Sequence, residues 1–353
     1  MKKYLGPSKF LAVLVFIPVF IGCKDKITPP VIDGDYSLCY EASYNGHSEI
    51  FTNNITGTAR KDISNYSGDD EYPQWSPDGR YIVYSRSSGV VVYDTKTQAN
   101  TVLTTDSVDA GLMPQWTPNG KIFFYCRSSY DVHDPGATYI MNPDGSRKKK
   151  ILDSEASIYF YHDSYTFLYI IGTKVYKTNI DNTFNEFVLE LPSPGSDQFV
   201  TIRDFNPLTG DFLVSTNTIP GSSDAIATYN VETKQFNQLV TAEEGYVLYL
   251  QKYSNDFSKI AFVEGSSNDE YLSVLENGVK RRLVRIPATT PPVHFSFEPM
   301  QFSPDGKYNA FSKQVFQSGQ WVSWTEYLYA VDVATGNVQY IDEGFYPSWN
   351  PRP

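Results

Sequence analysis

Tyr72-Pro-Gln-Trp75-Ser-Pro-Asp78-Gly79-Arg-Tyr-Ile-Val-Tyr84-Ser-Arg86 reads as a strand, a tight turn and a returning strand. Pro77 pre-sets φ for the turn and Gly79 can take the positive φ that closes it, so the flanking runs fold back on one another. The same frame recurs along the chain. Counted from Trp75, further anchors stand at Trp116, Phe160, Phe205, Tyr253 and Phe302, with steps of 41 to 49 residues. That spacing suits four-stranded propeller blades.

Fixed offsets test the repeat. Eight residues after the anchors stand Val83, Phe124, Leu168, Leu213, Ala261 and Ala310, and nine after stand Tyr84, Tyr125, Tyr169, Val214, Phe262 and Phe311. Seven after stand Ile82, Phe123, Phe167, Phe212 and Ile260, with Asn309 the exception. A strand apolar on consecutive residues is covered on both faces, as an interior strand of a propeller blade is.

The chain ends complete the count. Tyr346-Pro-Ser-Trp349 repeats the anchor strand with no second strand after it, while Leu38-Cys39-Tyr40 fits the missing second strand, and the segments at Glu49-Ile-Phe51 and Arg60-Lys-Asp-Ile63 fit the outer two. The expectation is an all-β, seven-bladed β-propeller of four-stranded blades over residues 36–353, closed by a C-terminal strand joining the N-terminal blade. Closure of this kind removes open sheet edges.

Pro-x-Trp-Ser-Pro-Asp-Gly before an apolar strand, together with Thr138-Tyr-Ile-Met-Asn-Pro-Asp-Gly145, resembles the WD-repeat-like module of the TolB-type β-propeller lipoproteins of bacteria. The resemblance covers nearly all of residues 36–353. It is clear in blades two, three and seven and eroded in blades four to six, where Tyr161-His-Asp-Ser164, Asn206-Pro-Leu-Thr209 and Ser254-Asn-Asp-Phe257 replace the turn. TolB itself resembles a six-bladed ring with an N-terminal α/β domain, for which this chain has no room.

Residues 1–22 read as a signal peptide: Lys2 and Lys3 precede an apolar stretch too short to span a bilayer as a mature helix. The run Val19-Phe-Ile-Gly-Cys23 resembles a lipobox, which implies cleavage before Cys23, lipidation of its thiol and a tether over residues 23–35. The implied location is the bacterial outer membrane, anchored by lipid alone and facing the periplasm or the surface. Loss of Lys2, Lys3 and Lys9 takes the net charge from −11 to −14, which excludes nucleic acid as a partner. The basic run Arg147-Lys-Lys-Lys150 reads as a solvated turn. Cys39 and Cys126 fall two blades apart, beyond disulfide reach.

Binding residues are expected on the face carrying the second-to-third strand loops and the blade connections, where residues 43–48, 128–137, 216–224, 265–269 and 314–325 depart from the repeat. Trp321 and Trp324 suit an aromatic platform, with Tyr130 and His133 beside it. His47, His133 and His294 share this face and are weak candidates for a metal. Asp69, Asp70, Glu71, Asp106, Asp109, Asp197, Glu243 and Glu244 crowd its connections and would suit a cationic partner or Ca²⁺. Asp78 and Asp305 read as turn formers. The sequence carries no Gly-x-Ser-x-Gly, His-Glu-x-x-His, P-loop or dinucleotide fingerprint. The expected function is a monomeric envelope module that binds a protein or glycan without catalysis or a cofactor. The alternative is a metal-dependent uronide lyase with a His-ligated ion on the axis.

Overall fold

The computed structural model describes residues 36–86, 89–104, 113–126, 136–191, 199–217, 225–287, 293–295, 300–317 and 323–352. They form seven antiparallel sheets. Blade one takes its inner strand, Phe345–Trp349, from the C-terminus and the others, Ser37–Tyr44, His47–Asn54 and Lys61–Asp62, from the N-terminus. Leu38 pairs with Trp349 and Cys39 with Ser348, the closure expected from the repeat. The inner strands of blades two to six are Asp70–Trp75, Gln115–Trp116, Ser157–Phe160, Phe199–Asn206 and Val247–Tyr253. Blade seven offers two inner pieces, Val293–Phe295 and Gln301–Phe302, both paired to Tyr308–Gln317.

Among the described residues the apolar core divides into seven clusters, each joining two neighbouring blades and so closing the ring. This division explains the consecutive apolar residues of the second strands. Ile82 and Tyr84 face blade one, whereas Val83 between them faces blade three. Asn309 breaks the row yet is fully buried, and neither amide atom finds a hydrogen-bond partner among the described residues. Asn309→Leu is therefore expected to stabilise the fold by about 1–3 kcal/mol. A urea midpoint equal to or below that of the parent would contradict this.

The first turns keep one chemistry even where the sequence looks eroded. Ser76 Oγ donates to Asp78 at 2.6 Å and accepts from the Tyr81 amide at 2.9 Å. Ser303 and Asp305 repeat this, and so do Ser254 and Asp256 in blade six, where Phe257 holds the positive φ of 59° that Gly79 and Gly306 hold elsewhere. Asp78 and Asp305 are turn formers, as read.

The opposite face is more regular than expected. Residues 43–48 are strand and hairpin: Ser43 pairs with Ser48 and Tyr44 with His47 around Asn45-Gly46, at φ 51° and 85°. Asn-Gly is the preferred pair for such a two-residue hairpin. Tyr308–Gln317 pairs along its whole length with Ser323–Asp332, so residues 314–317 and 323–325 extend the blade. Cys39 is a buried free thiol, and burial pushes its pKa up.

Candidate functional site

The inner strands line the axis, and those of blades one, two, three, five and six are bent by a local irregularity. Three residues before their anchors, Tyr72, Met113, Leu250 and Tyr346 take positive φ of 58°, 32°, 57° and 52°. Pairing shifts register at this level in blades one, two and six. Blade five shifts between Ile202 and Asp204 instead. Bulges of this kind re-aim side chains and mark functional rims.

One residue before the anchor, side chains stitch blade to blade. Ser348 Oγ accepts from the Trp75 amide at 3.1 Å, Gln74 Oε1 from the Trp116 amide at 2.8 Å, and Asp204 Oδ2 from the Tyr253 amide at 3.0 Å. The indoles of Trp116 and Trp349 add bonds to the carbonyls of Gln74 and Gln301, at 3.0 and 2.9 Å. Gln115 holds the same position in blade three, yet it is exposed and its amide makes no hydrogen bond among the described residues.

Two cavities meet at Gln115. One, of about 640 Å³, opens at the face of the Ser-Pro-Asp-Gly turns and reaches from Pro77 of blade two to Phe257 of blade six. Its wall includes the anchors Trp116, Phe160, Phe205 and Tyr253, and Lys252 meets Asp204 there at 3.1 Å. The other, of about 580 Å³, lies between blades three and four and runs from Met113 to Gly172. Gln115, Phe123, Ile158 and Tyr159 border both. Burial pushes the Tyr159 hydroxyl up to about 12, so it stays a protonated donor at neutral pH. Aromatic walls with a few polar groups are the usual make-up of a ligand pocket.

The described residues include only some of those expected from the sequence. Cys23, Tyr130, His133 and Trp321 fall outside the described residues. Trp324 has its backbone in the long strand of blade seven, opposite Phe316, and its side chain is outside the described set. His47 opens a strand rather than sitting in a loop. His294 also lies in a strand, with Nδ1 2.7 Å from Glu270 and its ring edge-on to Phe316. Among the described residues no three His, Cys, Asp or Glu side chains gather as a metal group.

The acids expected to crowd the blade connections are partly committed to the protein. Asp70 is fully buried and bonded twice to Arg86, Asp69 accepts from the Ser48 amide, and Glu243 pairs with Lys280 and Arg282. Asp106, Asp109 and Asp197 fall outside the described residues. The basic run is engaged as well: Lys149 pairs with Asp181, Lys150 with Asp153, and Lys148 lies over the Tyr139 ring.

Gln115, Tyr159 and Lys252 stand just before their anchors, outside the forward offsets that define the repeat. The columns just before the anchor hold the signal, since the inner strand is the one that lines the axis.

No protein-family model matches the chain, and no curated protein sequence is similar to it. Its fold is similar to that of solved propellers. TolB from Acinetobacter baumannii superposes with a TM-score of 0.51 at 16% identity, over 90% of this chain and 68% of that one. An oligogalacturonate lyase in complex with manganese gives 0.57 at 12% identity, over 88% and 85%. A prolyl endopeptidase gives 0.60 at 11% identity, over 87% of this chain and 49% of that one, so the chain spans about half its length. These likenesses establish a fold shared by TolB and by enzymes of two kinds.

Proposed function

We propose that the chain is a lipid-anchored binding module of the bacterial outer membrane, held at Cys23 and tethered by residues 23–35, that takes a protein or glycan ligand into its channel without catalysis. The observation that carries this reading is the Gln115 amide, which makes no hydrogen bond among the described residues and stands at the junction of two aromatic-walled cavities, where the equivalent Gln74 and Asp204 are occupied in holding the next blade. The lipobox-like run before Cys23 and the likeness to TolB support the envelope location.

Gln115→Trp tests it. The substitution fills the junction and removes no side-chain hydrogen bond among the described residues. Saturable retention of an envelope protein or a glycan by the parent is expected to fall about tenfold or more in the variant, with the urea midpoint unmoved. Equal retention by both would reject the channel as the site. Incubation with polygalacturonate and Mn²⁺ tests the lyase alternative, and release of unsaturated uronide would replace the binding reading.

A further inference from the structure

Among the described residues only two charged side chains border the 640 Å³ cavity, and they cancel: Lys252 of blade six meets Asp204 of blade five at 3.1 Å. Arg203, beside Asp204 in the chain, is not part of that wall and donates to Ser215 instead. A ligand with a net charge would give up water there without meeting a spare counter-charge, so the wall favours a neutral one.

The ion pair still has hydrogen bonds to make. Asp204 Oδ1 accepts from Lys252 and, at 3.0 Å, from the Phe205 amide, which fills both of its lone pairs. Oδ2 accepts from the Tyr253 amide and keeps one lone pair. Lys252 spends one of its three N–H groups on Asp204, and nothing among the described residues accepts the other two. Its side chain is 35% exposed and borders the cavity. Donors and an acceptor side by side suit two neighbouring hydroxyls, one accepting from the ammonium and the next donating to the carboxylate.

The rest of the wall repeats this mixed character. Gln115 and Asn255 are exposed, and each amide is both donor and acceptor with no hydrogen bond among the described residues. Trp116 and Tyr159 are half-buried, and Trp116 spends its indole N–H on the Gln74 carbonyl, so it offers the cavity only an apolar ring. The electron-rich face of such a ring attracts the C–H bonds of a sugar. We infer that the cavity is a subsite for a neutral saccharide, in which Trp116 and Tyr159 carry the apolar face of a pyranose while Lys252, Asp204, Gln115 and Asn255 hold its hydroxyls. The inference rests on the reading of the channel as a ligand site and narrows a protein or glycan to an uncharged glycan.

Titration calorimetry of the full chain with cellotriose, maltotriose and N-acetylated chitotriose, and with trigalacturonate as the charged control, tests it. At least one neutral trisaccharide is expected to bind saturably and about tenfold or more tighter than trigalacturonate. Lys252→Met keeps the aliphatic stem and removes the donors, and should weaken that binding about tenfold, as loss of a charged hydrogen bond does. Asn255→Ala should weaken it about threefold with the melting temperature unchanged, and carries the test if Lys252→Met does not fold. No saturable binding of any neutral trisaccharide, trigalacturonate binding as tightly, or an affinity that neither substitution moves would overturn the subsite. If Gln115→Trp abolishes retention of an envelope protein while no trisaccharide binds, the channel stands as a binding site for a peptide and the saccharide subsite falls.

Discussion

Trp349→Ala is expected to cost about 3–5 kcal/mol of folding free energy, the range for truncating a buried aromatic. Trp349 is 5% exposed and belongs to the cluster between blades seven and one. Its ring meets Tyr36 edge-on at 6.2 Å and its indole donates to the Gln301 carbonyl, so one side chain touches both sides of the closure. Around it, Arg60 pairs with Asp342 at 2.6 Å, Tyr40 also donates to Asp342, and the guanidinium lies 3.8 Å from the Phe51 ring centroid. These contacts tie the outer strand of blade seven to blade one, yet they sit towards the rim. Among the described residues only the strand Phe345–Trp349 covers the inner edge of Ser37–Tyr44. Losing its anchor would expose that edge and invite pairing with other chains. Urea unfolding followed by circular dichroism, with Tyr340→Ala as an exposed aromatic control, measures the effect. A loss below about 1 kcal/mol would mean that blade one closes without its C-terminal strand.

The fold was legible because each blade imposes a local pattern. The turn demands Ser, Asp and a residue of positive φ at fixed places, and burial on both faces demands apolar residues in succession. Both survive as short-range signals even where Phe257 stands in for glycine. What failed depends on partners distant in sequence. The segment from Gln314 to Gln317 reads from the sequence either as a loop or as an extension of the blade's two strands, because nothing local says that residues 323–326 will pair with it. Asn45-Gly46 did carry a local hairpin signal, and it was overlooked. Asp70 illustrates the same limit among the acids: it counts as surface charge until Arg86 is brought onto it. The channel groups escaped because their role comes from which blades adjoin. Gln74, Gln115 and Asp204 share one column, and only the ring shows that two are occupied and one is not.

Arg86→Met is the second substitution expected to have a large effect, and its pH dependence identifies the cause. Arg86 holds Asp70 with two hydrogen bonds of 2.8 Å, reaches the Ser64 carbonyl and lies 4.1 Å from the centroid of the Tyr66 ring. Asp70 is completely buried, so removing its cation strands a carboxylate in a low-dielectric interior, at a cost of about 3–5 kcal/mol. Burial already raises the Asp70 pKa against the opposing pull of Arg86, and the variant loses that pull. A carboxyl whose folded pKa exceeds its unfolded value is penalised when ionised, and the penalty disappears as pH falls through the folded pKa. The deficit relative to the parent should therefore be largest near neutral pH and shrink as the solution is acidified and Asp70 takes up a proton in the folded state. Adding Asp70→Asn to Arg86→Met should recover most of the loss, because the neutral amide removes the stranded charge. A deficit constant with pH, or one that Asp70→Asn leaves in place, would show that Arg86 acts through its packing on Tyr66 and Tyr84 rather than by neutralising the buried acid.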